Sequence, residues 1–370
     1  MYSSWSLDGA NLDQADLRGT NHSGAKFTNI TGTPILDADY SIRSGYLVGP
    51  DVDLSNLSPL GIDLTGVNLS GADLSGTNLS QANLVGVKSV GIKGTPILPE
   101  DYSIVTIETM DHRDYDPEMP FLLDPFPEED EPETQLTSYI IGPGVNLEGV
   151  NLKDANLSGA NLEGVNLTTV DLSGVKSGNI ADGPTLSDEY KIISGYIVGP
   201  KVDLSGADLS DVNLTGMDLS EADLSGANLS NVNLTGINLT GVNLSNADLS
   251  GATLTNVASR GIEGTPSTLP EGYQIIGGFI LGPDVNLSGK DLYAINLSQV
   301  DLSSANLKGA SGYLLTGNPV LPEGFKIEGG YLFGPEVQGH RYTHENFSGL
   351  DLQDMDLSGA QLYSSNFTDA

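Results

Sequence analysis

The sequence predicts an all-β solenoid, and three observations carry that prediction. A five-residue period runs through most of the 370 residues, two positions in each period are apolar, and only 6% of the residues are aromatic against 38% hydrophobic overall. The core must therefore be assembled from Leu, Val and Ala rather than from the bulky side chains that fill most globular interiors. Neither a 3.6-residue helical period nor strict alternation survives the five-residue one.

The period is plainest in NLSGADLSGTNLSQANL from Asn68 and NLTGINLTGVNLSNADLSGA from Asn233. With the central Leu as position i, the register holds over Leu7 to Phe27, Leu54 to Leu84, Leu147 to Leu172, Leu204 to Leu254, Leu287 to Leu307 and Tyr342 to Phe367, making 40 repeats in six blocks. Position i is Leu in 34 of them, position i−2 is mostly Ala or Val, and these two must point inward. Position i−1 is Asn 20 times and Asp 14 times, i+1 is usually Ser or Thr, and i+2 is often Gly, so these face outward or turn a corner. With flanking residues the blocks occupy 5–31, 52–87, 145–175, 202–257, 285–310 and 337–370, in what reads as one continuous solenoid over 1–370.

The pattern A(D/N)Lxx resembles the pentapeptide-repeat family, over about 200 residues in register. The resemblance implies a right-handed four-sided parallel β-helix with one pentapeptide per side. Stacked coils would then pair their backbones at a rise of roughly 4.8 Å, giving a rod about 50 to 75 Å long. Each coil would depend on its neighbours to cover its Leu layer.

Between the blocks lie five lateral inserts containing Gly, Pro and Tyr, at 32–51, 94–144, 183–201, 264–284 and 317–336. A representative copy is GTPSTLPEGYQIIGGFILGPDV from Gly264. Its proline-rich first half reads as an outward loop, and its aromatic, β-branched second half as a strand rejoining the helix. Two placements are open for the aromatics: a ridge of partner contacts that includes Tyr196, Phe279 and Tyr331, or local caps packed back onto the coils. The second copy is interrupted by an acidic segment, Glu108 to Glu133, with 11 carboxylates, five prolines and one Arg. That composition cannot fold alone, and 108–133 reads as a flexible loop. Phe121, Leu122, Leu123 and Phe126 within it are candidate anchors for a basic partner.

Charge excludes several functions. With 49 acidic and 15 basic residues the formal charge is −34, which repels phosphate backbones and anionic membranes. Direct nucleic-acid binding is therefore not expected, and no run of apolar residues is long enough for membrane insertion. The repeat starts within the first ten residues, leaving no room for a secretion signal, so the chain reads as soluble, with its compartment open between the cytoplasm and an extracellular or virion assembly. Cysteine is absent, which removes disulfides and thiolate metal sites.

Catalysis, cofactors and metals are not expected. A catalytic site needs converging titratable groups in a pocket, whereas this interior is filled by Leu and Ala. Of the four His, His22 stands in a core Leu position, His112 lies in the acidic segment, and His340 and His344 flank Tyr342. Asp111, His112, Asp114 and Asp116 offer ligand atoms without the glycine pivot of a calcium loop. Gly86 to Lys93 grazes a phosphate-binding loop but carries Ile92 where Lys is required. The many N-x-S/T strings follow automatically from the repeat. Residues twenty apart should stack, so Asp203, Asp223 and Asn243 form one column and Asp208, Asn228 and Asp248 another, with Asn diluting carboxylate repulsion.

Trp5 with Leu7 can plug the amino end. Tyr363 and Phe367 either close the carboxyl end or leave it for end-to-end stacking of a second chain. The expected function is a non-enzymatic structural or protein-binding scaffold, a rigid acidic rod serving as an assembly component or adaptor, with a surface or virion structure among the assemblies that fit. The resemblance implies an alternative, because some members resemble B-form DNA in width and charge and bind type II topoisomerases. The chain's length, its five inserts and the lack of a dimerisation helix set it apart from that group.

Overall fold

The computed structural model describes residues 7–110, 134–180, 183–337, 347–353, 357–358 and 365–369. The chain divides into two compact units, Met1–Ser187 and Asp188–Ala370, each a stack of coils with hairpins inserted. No helix among the described residues is long and apolar enough to cross a membrane.

The pentapeptide becomes a side of a coil through one turn and two ladder bonds. In the second unit the Ala207 N–H donates to the Leu204 carbonyl at 3.0 Å, closing a β-turn whose third residue, Gly206, has φ +68°. That left-handed position is why i+2 prefers Gly, with Asp211 and Asn231 filling the same place at φ +59° and +55°. The extended residues between turns pair in parallel with the next coil: Leu204 N–H donates to Asp223 O at 2.8 Å, and Asp223 N–H returns to Val202 O at 3.0 Å. Bridges such as Asp203↔Asp223, Asp208↔Asn228, Asn213↔Asn233 and Asp218↔Asn238 repeat at a spacing of twenty residues. Four sides of five residues make that spacing, and the fold is the right-handed four-sided β-helix.

The interior follows the same arithmetic. Position-i Leu and position-(i−2) Ala, Val or Ile point inward on every side, so Leu209, Leu229 and Leu249, together with Ala227, Val232 and Ala247, are almost wholly removed from water. In the first unit Leu54, Leu64, Leu69, Leu74 and Leu84 form the equivalent layers with Val52, Ala72 and Val87. Full burial of each Leu stabilises by about 1.5 to 3 kcal/mol, obtained only when a neighbouring coil covers it.

Each insert contributes an antiparallel hairpin. In the first unit these are β1 (Ser41–Arg43) with β2 (Tyr46–Val48), and β3 (Ser103–Met110) with β4 (Thr134–Ile141). In the second unit they are β5 (Lys191–Ile193) with β6 (Tyr196–Val198), β7 (Gln274–Ile276) with β8 (Phe279–Leu281), and β9 (Lys326–Glu328) with β10 (Tyr331–Phe333). The short hairpins turn through two left-handed residues, Ser44–Gly45, Ser194–Gly195, Gly277–Gly278 and Gly329–Gly330. This is the I′ geometry that matches strand twist.

The first half of each insert departs from the outward loop expected of its prolines. Within the first unit Thr31 and Ile35 pair with Asn11 and Asp16, Lys93 and Ile97 with Asp73 and Asn78, and Thr185 with Asn166. Within the second, Glu263 and Thr268 pair with Asn243 and Asp248, and Thr316 and Val320 with Asn296 and Asp301. These residues continue the coil, because proline's fixed φ suits an extended side wherever its missing N–H is not called on. The close stacking explains the opening glycine: a Cβ on Gly264 would lie 2.7 Å from the Ser245 backbone nitrogen.

The second strand of each hairpin returns to the core. Leu47 and Val48, Ile140 and Ile141, Ile280 and Leu281, and Leu332 and Phe333 are all buried. Room for them comes from a break in the Leu run: Ser89 and Ser259 occupy position-i sites, are buried, and accept the N–H groups of Ile140 and Ile280 at 2.9 Å. At the hairpin base an aromatic ring closes over the glycine of the Gly-Pro pair. The Tyr273 hydroxyl donates to the Pro283 carbonyl at 2.9 Å, as Tyr102 does to Pro143, and a Cβ on Gly282 would meet the Tyr273 ring at 2.4 Å. Phe325 packs against Gly334 in the same way without a hydroxyl.

Candidate functional site

The outward-facing i−1 residues form the most regular chemical surface of the molecule. Each Asp or Asn side chain accepts the backbone N–H two residues on, for example Ser225 to Asp223 at 2.9 Å and Thr235 to Asn233 at 3.0 Å. These Asx turns fix where the oxygens point. Along a column the amides then link to the carboxylates: Nδ2 of Asn243, Asn228 and Asn238 donates to Oδ1 of Asp223, Asp208 and Asp218, each at 3.0 Å. An Asn above an Asp thus replaces like-charge repulsion with a charge-assisted bond.

Hydroxyl and amide donors hold several of these carboxylates in the ionised state. Asp208 titrates below its ordinary range chiefly through the Ser210 hydroxyl, at 2.8 Å, aided by the Ser210 N–H. Asp248 is lowered mainly by the Thr268 hydroxyl, Asp63 by Thr65 and Asp301 by Ser303. At the amino end Asp16 falls to about 2 because Arg18 chelates it, with contacts of 2.9 and 2.7 Å. The walls are therefore arrays of charged and amide oxygens, oriented by the backbone.

The residues singled out by sequence are scattered rather than convergent. Phe121, Leu122, Leu123, Phe126 and Tyr363 lie outside the described residues, as do Trp5, Asp111, His112, Asp114, Asp116, His340, Tyr342 and His344. Tyr196 is half-buried, and its hydroxyl oxygen accepts the Asp208 N–H at 3.3 Å. Phe279 is only 5% exposed, so it sits in the core beside the hairpin's turn, paired with Ile276, and a partner cannot reach it. Tyr331 is half-buried between Tyr313 and Phe347, at ring separations of 5.0 and 4.9 Å, while Phe367 is 37% exposed and 5.1 Å from Phe347. His22 is buried against Tyr40 and Phe27, with Nε2 2.9 Å from the Thr20 hydroxyl, and burial lowers its pKa. The stretch Gly86 to Lys93 is ordinary coil, with Lys88 and Lys93 bridged to Asn68 and Asp73. Among the described residues no three His, Asp or Glu side chains gather as a metal site would require.

Sequence reasoning passed over β3. The run SIVTIET before the acidic segment is β-branched at five of its seven positions, and β3 and β4 are the longest strands among the described residues.

The geometry defines the class of protein as a coiled repeat fold whose ordered chemistry lies on its walls. Pentapeptide-repeat models match residues 6–31, 51–88, 144–175, 201–236, 218–256 and 284–311, and the chain belongs to the pentapeptide-repeat family. Solved structures similar to it include HetL, a pentapeptide repeat protein involved in heterocyst differentiation regulation from the cyanobacterium Nostoc sp. strain PCC 7120, at 18% identity over 83% of this chain and 91% of that one, with a TM-score of 0.15. Full-length QnrB1, a plasmid-mediated fluoroquinolone resistance protein, is similar at 17% identity over 68% of this chain and 92% of its own, with a TM-score of 0.12. No curated protein matches by sequence.

Proposed function

We propose that this protein is a non-enzymatic binding scaffold, an adaptor or assembly component whose acidic walls engage a basic protein partner. The observation that carries the reading is the pre-orientation of the wall oxygens. Asp208, Asp218 and Asp223 each accept from the backbone N–H two residues on and from the Asn one coil above. A partner that pairs with them meets a fixed charge pattern and loses little affinity to ordering it. Enzymatic chemistry has no support in this arrangement, since the same carboxylates are dispersed one per side and already bonded.

The test is capture of partners by the wild-type protein and by a variant with Asp203, Asp208, Asp218 and Asp223 all changed to Asn, which keeps the acceptor of each Asx turn. Basic proteins retained by the wild type, lost by the variant and released by ~0.5 M salt, where exposed charges are largely screened, support the reading. Capture that is indifferent to both changes overturns it. The formal charge of −34 and the membership of this family favour a second reading, a DNA-mimicking ligand of a type II topoisomerase. A gyrase supercoiling assay that shows no effect at stoichiometric excess removes it.

A further inference from the structure

The second insert differs from the others in carrying a long hairpin with an open side. β3 and β4 pair over eight residues, in register Ile104↔Ile140, Thr106↔Ser138 and Glu108↔Leu136. The outer side of β4 is docked: the Ser138 carbonyl accepts from the N–H groups of Gly91 and Ile92 at 3.0 and 3.3 Å, and the Ile140 N–H donates to Ser89 Oγ. Backbone groups that point at the coil cannot also point at β3. Ile104 and Thr106 therefore face Ile140 and Ser138 as non-hydrogen-bonded pairs, and their own N–H and C=O groups lie on the far side of β3. Glu108 continues the alternation. Among the described residues no main-chain partner meets Ile104 or Thr106 there. The hairpins β1–β2, β7–β8 and β9–β10 offer one such residue each, Ile42, Ile275 and Ile327, too few to seat a strand.

Exposed edges are ordinarily blunted by shortness, proline or lysine, and β3 has none of the three. One face of the hairpin is packed, with Val105, Ile107 and Tyr139 buried, while Thr106 on the other is exposed. Charge decides the occupant. From Pro99 to Met110 there are three carboxylates, Glu100, Asp101 and Glu108, and no basic residue, and 111–133 adds ten carboxylates against one Arg. Pairing with a second copy would bring two such acidic stretches together.

We propose that the free edge of β3 is a strand-addition site for an extended basic segment of a partner protein. Its apolar residues align with Val105 and Ile107, and its alternate Lys or Arg residues lie on the face of the exposed Thr106. This rests on the acidic-scaffold reading and gives its partner a docking mode.

The probes are a synthetic octapeptide of alternating lysine and valine and its lysine–proline counterpart of equal charge, titrated into the full chain. Thr106→Pro removes one outward N–H and no main-chain β3–β4 bond, and Thr106→Ala keeps that N–H; both lose the 2.8 Å hydrogen bond between the Thr106 and Ser138 hydroxyls, so their comparison isolates the N–H. The expected result is binding of the lysine–valine peptide to wild type and Thr106→Ala, with new exchange protection at the Ile104 and Thr106 amides. Binding to Thr106→Pro, and of the proline peptide to any form, should be weaker by at least about tenfold, equivalent to about 1.4 kcal/mol. Equal binding of both peptides, or of the lysine–valine peptide to wild type and Thr106→Pro, overturns the edge site while leaving the acidic-wall reading intact. If Thr106→Pro unfolds, amide protection in the wild type decides alone, and its absence overturns the proposal. A dimer without peptide that Thr106→Pro abolishes would replace the basic segment with a second copy as the occupant.

Discussion

At residue 294 the fold asks for a conformation that its side chain resists. Ala294 occupies the third position of a corner turn at φ +57°, where most sides carry Gly, Asn or Asp. The residue is exposed, and its N–H is held by Tyr313 O at 2.8 Å, so the turn is imposed by the ladder. Ala294→Gly should stabilise the second unit by up to about 1 kcal/mol, the cost of a left-handed Ala less the entropy of the glycine, as read by denaturant unfolding. The same corner at Gln14 and Glu221, with φ +59° and +60°, shows what the sequence left illegible. Glycine at i+2 announces the turn, whereas these residues adopt it only because neighbouring coils hold both flanks. Leu at i and Asn or Asp at i−1 were legible because burial and the Asx turn each demand one side-chain type. Phe279 was not, since an aromatic beside a turn suits a buried strand start as well as a surface ridge.

Hairpin docking belongs to the scale of the element, and Ser259 is its hinge. The period asks for Leu at this position, yet a Leu would fill the space that Ile280 and Leu281 enter, and it would offer no acceptor to the Ile280 N–H. Ser259→Ala keeps the space and removes the acceptor, leaving a buried donor unpaired. The expected loss is about 2 kcal/mol, seen first as faster amide exchange in β7 and β8. The break in the Leu run was visible at Ser89, Ser177 and Ser259, but a small polar residue before Gly also describes the end of a block, and only the returning strand shows why it is buried. The proline-rich half of the insert misleads for a related reason. Its threonines and prolines fit a loop and an extended coil side equally well, and the bridge from Asp248 to Thr268 decides for the latter.

Across the whole molecule charge is the dominant variable, and it acts with two signs. Added salt at neutral pH should raise Tm, because it screens the mutual repulsion of a chain with 49 acidic and 15 basic residues. Acid should lower it. Asp16, Asp63, Asp208, Asp248 and Asp301 titrate lower in the folded protein than their ordinary 3.8, so their contribution is complete above that value. It is lost as pH falls through the folded values, reaching about 2 for Asp16. Circular-dichroism melts at pH 6, 4, 3 and 2 should therefore show stability dropping below pH 4; a Tm unchanged between pH 4 and pH 2 would contradict the donor network drawn around these groups. One further consequence follows from the hairpins. Four of the five close in two residues at their tips, while the fifth leaves β3 and re-enters β4 with residues 111–133 spliced between, and its base is anchored by the same serine acceptor and tyrosine clasp as the base of β7–β8. The coil holds the returning side of the hairpin, through the tip carbonyls of Gly45, Gly278 and Gly330 in three short copies and through that of Ser138 within β4 in the long one. Lengthening a tip costs little, about 0.6 kcal/mol for each doubling of a flexible loop. Beyond that docked contact the hairpin is in effect an open reading slot, through which a lineage, or an engineer, can write new cargo without editing the scaffold beneath it.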